Sequence, residues 1–262
     1  MTDRTSRRLF VETLPRQGGV IPLGSAETHY LCNVLRLRPG ARLLLCDGSG
    51  RQAEGVLHGV REGRARVAVQ REIPAQTEAP VSVHLGIGLL KAPKMDLVIQ
   101  KVSELGAEAI HPLTTSRTVP CLAPERWEGR LARWRKIARE ASRQSGRTRV
   151  AQVDPPTTLE RILERKNSFD LRFLFSLGPC VARGELEPPP ELAQPRSILV
   201  LVGPEGGFSA KEEQIALSNG CLPVGLGPRT LRAETAAILA VGLVLYRFGD
   251  LRPPVPQQSE NS

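Results

Sequence analysis

The hydrophobic positions of the first part of the chain form short runs. Up to about Arg71 the apolar runs VIPL, RLLLCDGSG, AEGVLHGV and ARVAVQ are separated by turn residues. Runs of this length and spacing predict β-strands, with Asp47-Gly48 and Glu62-Gly63 as candidate hairpin turns. Several short strands around a single helix are typical of a small β-barrel.

The one helical stretch in this region is SAETHYLCNVLRL. Its apolar residues Leu31, Val34 and Leu35 recur at three- and four-residue spacing, so we expect them on one face of a helix. Ser25 is a candidate cap for the N-terminus of that helix. The proline-bounded polar segment PAQTEAP follows the last strand and predicts a boundary between domains at 1–73 and 80–250.

From Val81 onward, apolar strands alternate with longer helical patterns. The predicted strands are VSVHLGIGLL, AEAIHPLTT, LRFLFSL, ILVLV and LPVGLG. A helix is predicted at KMDLVIQKVSELG, with Pro93 just before it and Gly106 as its stop. Ser209 and Glu212 form a capping box for the helix after ILVLV, and ETAAILAVGLVLYRFG reads as a buried closing helix. This alternation predicts an α/β class with a mostly parallel sheet between helices.

The helix predicted at ERWEGRLARWRKIAREASRQSG has an aromatic stripe and a basic face. Trp127 and Trp134 recur with Leu131, Ala138 and Ala141 at three- and four-residue steps. That spacing favours packing in the core or in a dimer interface. Stacking of the tryptophans on RNA bases is the less favoured alternative.

The composition of the chain indicates a polyanionic partner. The 262 residues carry a formal net charge of +9, and the sequence pI is near 9.9. Nucleic acid is the first candidate, an anionic membrane surface is the second, and a merely soluble basic protein is the third. The sequence has no signal-peptide pattern and no apolar stretch long enough to span a bilayer, so we expect a cytoplasmic, soluble protein. The tail 251–262 is expected to be disordered.

The cysteines and histidines predict no metal site. The five cysteines never stand at C-x-x-C spacing, and the four histidines form no H-E-x-x-H motif. An odd number of scattered cysteines also argues against a disulfide framework. We therefore expect reduced, mostly buried thiols.

Two glycine-containing loops carry the candidate chemistry. GPEGG follows the strand ILVLV, and GPRTLRAETA follows LPVGL. Because both loops lie between a strand and a helix, we expect them at the carboxyl ends of the strands, where open α/β sheets bind ligands. Neither loop is a P-loop or a G-x-G-x-x-G dinucleotide fingerprint. Taken alone, GPEGG fits a tight turn between strand and helix equally well.

Taken together, GPEGGF and LGPRTLRAETA resemble the C-terminal signature of the SPOUT-class RNA methyltransferases. The resemblance is closest to the ribosomal RNA small subunit methyltransferase E family. Further family motifs match in order at HYLCNVLRLRPGARLLLCDGSG, KAPKMDLVIQKVSELGAEAIHP, SRTV and RWRKIAREASRQSGR. Thr230, Ala233 and Arg143 depart from the family pattern, and residues 154–195 match little of it.

The resemblance implies a fold and an activity that no periodicity predicts. The fold is a SPOUT trefoil-knotted, mostly parallel sheet flanked by helices, with a small N-terminal PUA-like β-barrel, in a homodimer. The activity is S-adenosylmethionine-dependent methylation of N3 of a specific uridine in 16S rRNA, within the small ribosomal subunit. Two alternatives stay open. One is a non-catalytic RNA-binding ribosome-assembly factor, and the other is a nucleotide-binding enzyme that uses GPEGG as an anion nest.

The resemblance also implies the site residues. Arg232 is the candidate cation for charge that develops on the uracil oxygens, and Glu234 would hold Arg232 or accept the N3 proton. A surface ion pair at a helix start is the alternative for these two. The implied cofactor contacts are Leu201, Gly203, Gly206, Gly207, Leu226, Gly227, Leu231, Thr235 and Ala236.

Basic residues of both predicted domains are candidate contacts to RNA phosphates. For each of them singly, a solvated surface role is the alternative. The candidates are Arg7, Arg8, Arg36, Lys91, Lys94, Arg117, Arg147 and Arg229, with Arg38, Arg139 and Arg143 beside them.

Overall fold

The computed structural model describes residues 8–75, 77–118, 125–165, 168–176, 186–188, 190 and 194–252. The chain divides into two units: Met1–Glu78 with Arg139–Val150, and Ala79–Ala138 with Ala151–Ser262. The first unit thus includes the last turns of a long helix that begins in the second. Arg7, Cys121, Cys180 and the predicted tail from 253 onward lie outside the described residues.

The first unit is built around a five-stranded mixed sheet with the strand order β1-β3-β4-β5-β2. Its strands are β1 (Arg8–Phe10), β2 (Val20–Pro22), β3 (Arg42–Cys46), β4 (Gln52–Arg61) and β5 (Arg64–Ile73). β1 runs parallel to β3, and the other neighbours are antiparallel. Leu31, Leu45, Leu57 and Val67 are buried in its core. The predicted strands are confirmed, whereas β1 was not predicted.

Both predicted hairpin turns are present. Glu62 and Gly63 join β4 to β5 with positive φ values of 54° and 73°, the conformation that a two-residue type I′ turn needs. Asp47 and Gly48 begin the loop between β3 and β4. The Asp47 carboxylate accepts hydrogen bonds from the backbone N–H and the hydroxyl of Ser49, which fix this turn locally.

The helix of the first unit differs from the prediction. The helix α1 (Ser25–His29) continues directly into a π-helical turn at Tyr30–Val34. Because a π-helical turn contains more residues than an α-helical one, the three- and four-residue spacing no longer marks one face. Val34 is accordingly 59% exposed. The cap prediction is also wrong, since Gly24 occupies the N-cap position and no side chain caps the helix.

The second unit contains a seven-stranded sheet in which every pairing is parallel. Its order is β12-β10-β11-β6-β7-β8, with β9 also paired to β7. The strands are β6 (Ser82–Gly88), β7 (Ala109–Thr114), β8 (Gln152–Val153), β9 (Thr157–Thr158), β10 (Leu171–Phe175), β11 (Ser197–Val202) and β12 (Leu222–Val224). The predicted α/β class is confirmed, and only the short β8 and β9 were missed among these strands.

Helices cover both faces of this sheet. They are α2 (Ala92–Leu105), α3 (Glu125–Gln144), α4 (Leu159–Leu163), α5 (Ala210–Ser218) and α6 (Ala233–Phe248). Pro93 lies in the first turn of α2, and Gly106 ends that helix with a φ of 119°. The predicted capping box of Ser209 and Glu212 is present at the start of α5. Trp134 is 1% exposed and belongs to the core, which confirms the packing interpretation.

The central strand β11 shows how the two cores arise. Val200 and Val202 belong to the core that also contains residues of α2 and α6. Leu199 and Leu201 belong to the core that contains residues of α4 and α5. Successive side chains of a strand point to opposite faces, so a fully apolar strand needs helices on both sides.

The strand order sets the path of the chain near its C-terminus. β12 lies at the edge of the sheet beside β10, whereas the next element, α6, packs against α2, β6 and β11. The segment 225–232 therefore returns from the edge of the sheet to its centre. The trefoil knot that the resemblance implies requires a return of this kind.

The side chains of His84, His111 and Asp154 form a series of hydrogen bonds at β6 and β7, away from the cavity described below. Nδ1 of His84 lies 3.2 Å from Nε2 of His111, and Nδ1 of His111 lies 2.9 Å from Oδ2 of Asp154. Phe169 packs edge-on against His84 at 5.1 Å. The hydrogen bond from His111 is the main cause that lowers the pKa of Asp154 to about 2. These side chains thus link β6 and β7 through one buried residue, His111, and two partly buried residues, His84 and Asp154.

The cysteines of the described residues are reduced. There, Cys46 and Cys221 are buried and Cys32 is partly buried, all three as free thiols. Burial raises the pKa of Cys46 to about 11 and that of Cys221 to about 12. None of the helices in the described part of the chain has the length and apolar character needed to cross a bilayer.

Candidate active site

A cavity of about 380 Å³ opens at the carboxyl edge of the parallel sheet, and both glycine loops form its wall. Its size lies within the usual range for small-molecule sites. The ends of β10 and β11, the first turns of α5 and α6, and Arg117 complete the lining. Six of the nine predicted cofactor contacts lie on this wall: Gly203, Gly206, Gly207, Leu226, Leu231 and Ala236.

The other three predicted cofactor contacts do not line the cavity. Leu201 is fully buried in the core, where a Cβ on Gly86 would come within 2.7 Å of its side chain. Its side chain therefore supports the strand below the site. Gly227 and Thr235 are exposed. Gly227 has a φ of 85°. This left-handed conformation favours glycine and forms the turn of its loop.

The GPEGG loop folds back on itself so closely that glycine is required. A Cβ on Gly203 would lie 2.7 Å from the backbone nitrogen of Phe208. The N–H of Gly207 donates a hydrogen bond of 2.8 Å to the carbonyl of Pro204, and Gly207 has a φ of 69°. The resulting wall consists largely of main chain. Such a wall fits the flat adenine of S-adenosylmethionine, which main-chain groups could bind directly.

Ser176 and Glu213 are among the polar residues of the cavity that the sequence analysis did not identify. The hydroxyl of Ser176 donates a hydrogen bond to the carboxylate of Glu213, and both residues line the cavity. Ser176 directly follows β10, so its place at the carboxyl end of a parallel strand was the signal that could have identified it. Glu213, in the first turn of α5, had no comparable signal.

Lys94 belongs to the ion pairs of the site. Its Nζ lies 3.1 Å from Oε1 of Glu205 and 3.7 Å from Oε2 of Glu234. Glu205 is part of the cavity lining, whereas Glu234 lies in the first turn of α6. The carboxylates of Glu205 and Glu234 thus balance the positive charge of Lys94, which was predicted to contact RNA. This geometry argues against a phosphate contact at Lys94.

The two predicted catalytic residues do not pair with each other. Arg232 is the N-cap residue of α6 and is exposed. Glu234 is only 8% exposed, and its ionic partner among the described residues is Lys94. Its Oε2 is buried and has no hydrogen bond within the described part of the chain. The expected role of Glu234 as a holder of Arg232 is therefore not supported, and an ordinary surface ion pair between them is excluded.

The predicted RNA contacts fall into two groups. Arg36, Lys91 and Arg229 are exposed, as a phosphate contact requires. Arg147 is not, because its side chain is 4% exposed and its Nη2 lies 2.9 Å from the carboxylate of Glu78. The prediction for Arg147 is corrected on this ground, since a buried, paired guanidinium serves folding.

Two further predicted RNA contacts are engaged within the protein. Nη1 of Arg8 is buried, and Arg8 forms a side-chain hydrogen bond with Cys46 that opposes the rise in the pKa of that thiol. Arg117 lines the cavity and donates hydrogen bonds to the carbonyls of Gly206 and Phe208. Its guanidinium therefore points at the glycine loop.

Two family models match the chain. The RNA methyltransferase domain matches residues 77–245, and the RNA methyltransferase PUA domain matches residues 23–69. The ribosomal RNA small subunit methyltransferase E of Bacillus subtilis is 31% identical over 94% of this chain and 98% of its own length. The protein of the same name from Mycobacterium bovis is 34% identical over 90% of this chain and 89% of its own.

Solved structures agree with these matches. The ribosomal RNA small subunit methyltransferase E of Neisseria gonorrhoeae, crystallised with S-adenosylmethionine, has a TM-score of 0.82 at 30% identity, covering 94% of this chain and 99% of its own. A methyltransferase of Legionella pneumophila in complex with the same cofactor has a TM-score of 0.83 at 28% identity, with the same coverage. The predicted fold class, a SPOUT domain with an N-terminal PUA-like domain, is confirmed. The chain belongs to the ribosomal RNA small subunit methyltransferase E family.

Proposed function

We propose that the protein transfers the methyl group of S-adenosylmethionine to N3 of a specific uridine in 16S rRNA. The observation that carries this proposal is the meeting of GPEGG and GPRTLRAETA on one cavity wall. These loops are separated in the sequence by α5 and β12, and each holds family signature residues. A shared small-molecule site explains why both signatures occur in one chain.

The residues of the cavity fit the cofactor in shape and charge. S-adenosylmethionine supplies an electrophilic methyl group on a sulfonium cation. The main chain at Gly203, Gly206 and Gly207 leaves room for a flat ring, and Leu226 and Leu231 add apolar surface. The carboxylate of Glu213 lines the same cavity and would balance the cofactor's positive charge.

The transfer needs an aligned nucleophile and a route for a proton. A bond forms between N3 and the methyl carbon while the carbon–sulfur bond breaks, and its electron pair stays on sulfur. The protein holds N3 in line, which can lower the barrier by roughly 7–11 kcal/mol in favourable cases. The N3 proton must leave, and negative charge then spreads to the uracil oxygens.

Arg232 and Glu234 are the proposed catalytic residues. Arg232 is exposed next to Leu231 of the cavity wall, so it can meet a base laid over the site and stabilise the developing charge. Glu234 is the proposed proton acceptor because its buried Oε2 has no hydrogen bond among the described residues. Lys94 keeps a positive charge beside that oxygen.

We further propose that the protein acts as a homodimer on the small ribosomal subunit, and hence in the cytoplasm during ribosome biogenesis and rRNA processing. Leu239, Leu243 and Tyr246 form an exposed apolar stripe on α6 at 40%, 36% and 52% exposure. Their spacing of four and three residues puts them on one helix face, which a second copy would cover. Sedimentation giving a mass of one chain would remove the dimer from this proposal.

Methylation of ribosomal subunits tests the activity. Small subunits that lack the modification are incubated with the protein and S-adenosylmethionine, and methylated nucleotides are mapped by mass spectrometry. The expected result is one new N3-methyluridine in 16S rRNA. Binding to the subunits without any methylation would favour the assembly factor. Thermal stabilisation by ATP but not by S-adenosylhomocysteine would favour the nucleotide-binding enzyme.

Arg232→Ala separates chemistry from binding. Methyl transfer should fall by roughly a hundredfold or more, as for loss of an oxyanion donor. The affinity for S-adenosylhomocysteine, measured by calorimetry, should stay close to that of the original protein because Arg232 is absent from the cavity lining. Unchanged turnover would remove Arg232 from the mechanism.

A further inference from the structure

We propose that the turn Thr115–Thr118 fastens the loop GPEGGF in its cofactor-accepting shape, with Arg117 as a positioning residue instead of an RNA contact. The turn directly follows β7, at the same edge of the sheet as the cavity. This inference rests on the proposed function, because it assigns the role of Arg117 through the cofactor site.

The turn has its own internal hydrogen bonds. The N–H of Thr115 donates to Oγ1 of Thr118 at 2.8 Å, and the N–H of Thr118 donates back to the carbonyl of Thr115 at 3.1 Å. The two residues between them, Ser116 and Arg117, therefore project from a closed turn. Both make contacts with the segment that follows β11.

Arg117 binds the most tightly folded part of the loop. Its Nη1 donates hydrogen bonds to the carbonyl of Gly206 at 2.7 Å and to that of Phe208 at 3.2 Å. These carbonyls flank Gly207, whose φ is 69°. The aliphatic part of Arg117 also lies against Gly206, where an added Cβ would come within 3.3 Å of it. One side chain thus spans the bend that forms the cavity wall.

Ser116 makes a second attachment through Glu212. The carboxylate of Glu212 accepts hydrogen bonds from the N–H and the hydroxyl of Ser116, at 2.7 and 2.9 Å. It also accepts from the N–H and the hydroxyl of Ser209, both at 2.8 Å. Burial opposes the charged form of Glu212, but these hydrogen bonds outweigh it and lower its pKa. The turn is therefore bound at both ends of the segment 206–209.

These hydrogen bonds from outside the loop matter because the loop is rich in glycine. Glycine loses more conformational freedom on ordering than any other residue, so the loop has little stiffness of its own. A ligand that must also order its loop binds more weakly than one that meets a preformed wall. Loss of Arg117 should therefore weaken the binding of the cofactor more than the binding of RNA.

The experiment compares Arg117→Ala with a matched control, Arg135→Ala. Arg135 is also exposed, and its Nε donates to a backbone carbonyl, that of Val153 at 3.2 Å. Val153 lies on β8, which pairs with the first residues of β7, away from the cavity. Calorimetry with S-adenosylhomocysteine and filter binding of unmethylated small subunits are measured for each protein, with thermal melting as the check of folding.

For Arg117→Ala we expect affinity for S-adenosylhomocysteine to fall about tenfold. Subunit affinity without cofactor and turnover at saturating cofactor should stay near their original values, while the KM for S-adenosylmethionine rises. Arg117→Lys should recover part of the affinity, since an ammonium group can donate to one of the two carbonyls. Arg135→Ala should change neither affinity.

A different pattern would overturn the inference. Weaker subunit binding with unchanged cofactor binding would make Arg117 a phosphate contact, and no change in either would leave it without the proposed role. Should Arg117→Ala fail to fold, Arg117→Lys decides by the same two measurements, and its unchanged affinity for S-adenosylhomocysteine would count against the inference. If the unsubstituted protein fails to bind S-adenosylhomocysteine, the proposed function itself is wrong, a result distinct from the others.

Discussion

Gly203→Ala tests the shape of the cavity wall by a single added methyl group. The new Cβ would lie 2.7 Å from the backbone nitrogen of Phe208 and 2.8 Å from the carbonyl carbon of Gly207. Both are main-chain atoms of the same loop. A rotation of side chains cannot relieve these contacts, so the loop itself must open.

The cost can be worked from these distances. Non-bonded heavy atoms settle about 3.5 Å apart, so the loop must move by well over half an ångström. Overpacking of this kind costs typically about 1–3 kcal/mol. Because the loop forms the cavity wall, we expect much of the cost in ligand binding. A loss of about 10- to 100-fold in affinity for S-adenosylhomocysteine corresponds to about 1.4–2.8 kcal/mol.

Two neighbouring glycines supply the controls. At Gly206 an added Cβ would meet only the aliphatic part of Arg117, at 3.3 Å. A shift of a few tenths of an ångström relieves this contact and can leave the hydrogen bonds of Arg117 in place, so Gly206→Ala should cost little. At Gly207 an added Cβ would have no neighbouring atom within 4 Å, but the φ of 69° makes alanine unfavourable there by about 1–2 kcal/mol. Calorimetry should rank the losses as Gly203, then Gly207, then Gly206. Equal affinities for Gly203→Ala and Gly206→Ala would show that the close approach at Gly203 does not set the shape of the cavity wall.

Two further predictions concern stability, measured by urea unfolding. Arg147→Met removes the buried guanidinium that pairs with the partly buried carboxylate of Glu78, and it should lower the free energy of unfolding by about 3 kcal/mol. Arg71→Gln, at the exposed pair with Glu54, should leave the free energy of unfolding nearly unchanged. Similar losses for the two variants would contradict this prediction. Burial is the main cause that lowers the pKa of His84 from 6.5 to about 4. The unfolded chain therefore binds this proton first as the pH falls, so stability should drop by about 2 kcal/mol between pH 7 and pH 5. His84→Gln should remove most of that drop, and an undiminished drop would count against the assignment.

The sequence predicted the elements whose signals are local. The capping box of Ser209 and Glu212 and the stop at Gly106 depend on residues within one turn of the helix, so the structure reproduces them. The stripe of α3 also placed Trp134 correctly in the core. At α1 the local signal failed, because the π-helical turn changes the spacing on which the position of Val34 was predicted.

Basic residues in the sequence predicted RNA contacts less well, because the sequence does not show which carboxylate a basic residue pairs with. Arg147 pairs with Glu78, 69 residues earlier in the chain, and Lys94 pairs with Glu205, 111 residues later. No local pattern distinguishes such residues from solvated ones such as Arg229. The fold decides, because it brings distant carboxylates to some basic residues and leaves others exposed.

The shape of the cavity wall depends on residues outside the wall as well as on the wall itself. The glycines of this wall have no side chains that could hold it in shape by contacts with the rest of the fold. Its shape must therefore depend on residues that bind the loop from outside, namely Arg117, Glu212 and Lys94. These residues come from the segments after β7 and β6 and from the start of α5. The cofactor site is thus a property of several neighbouring strand ends, which is why the parallel order of the sheet is a condition for it.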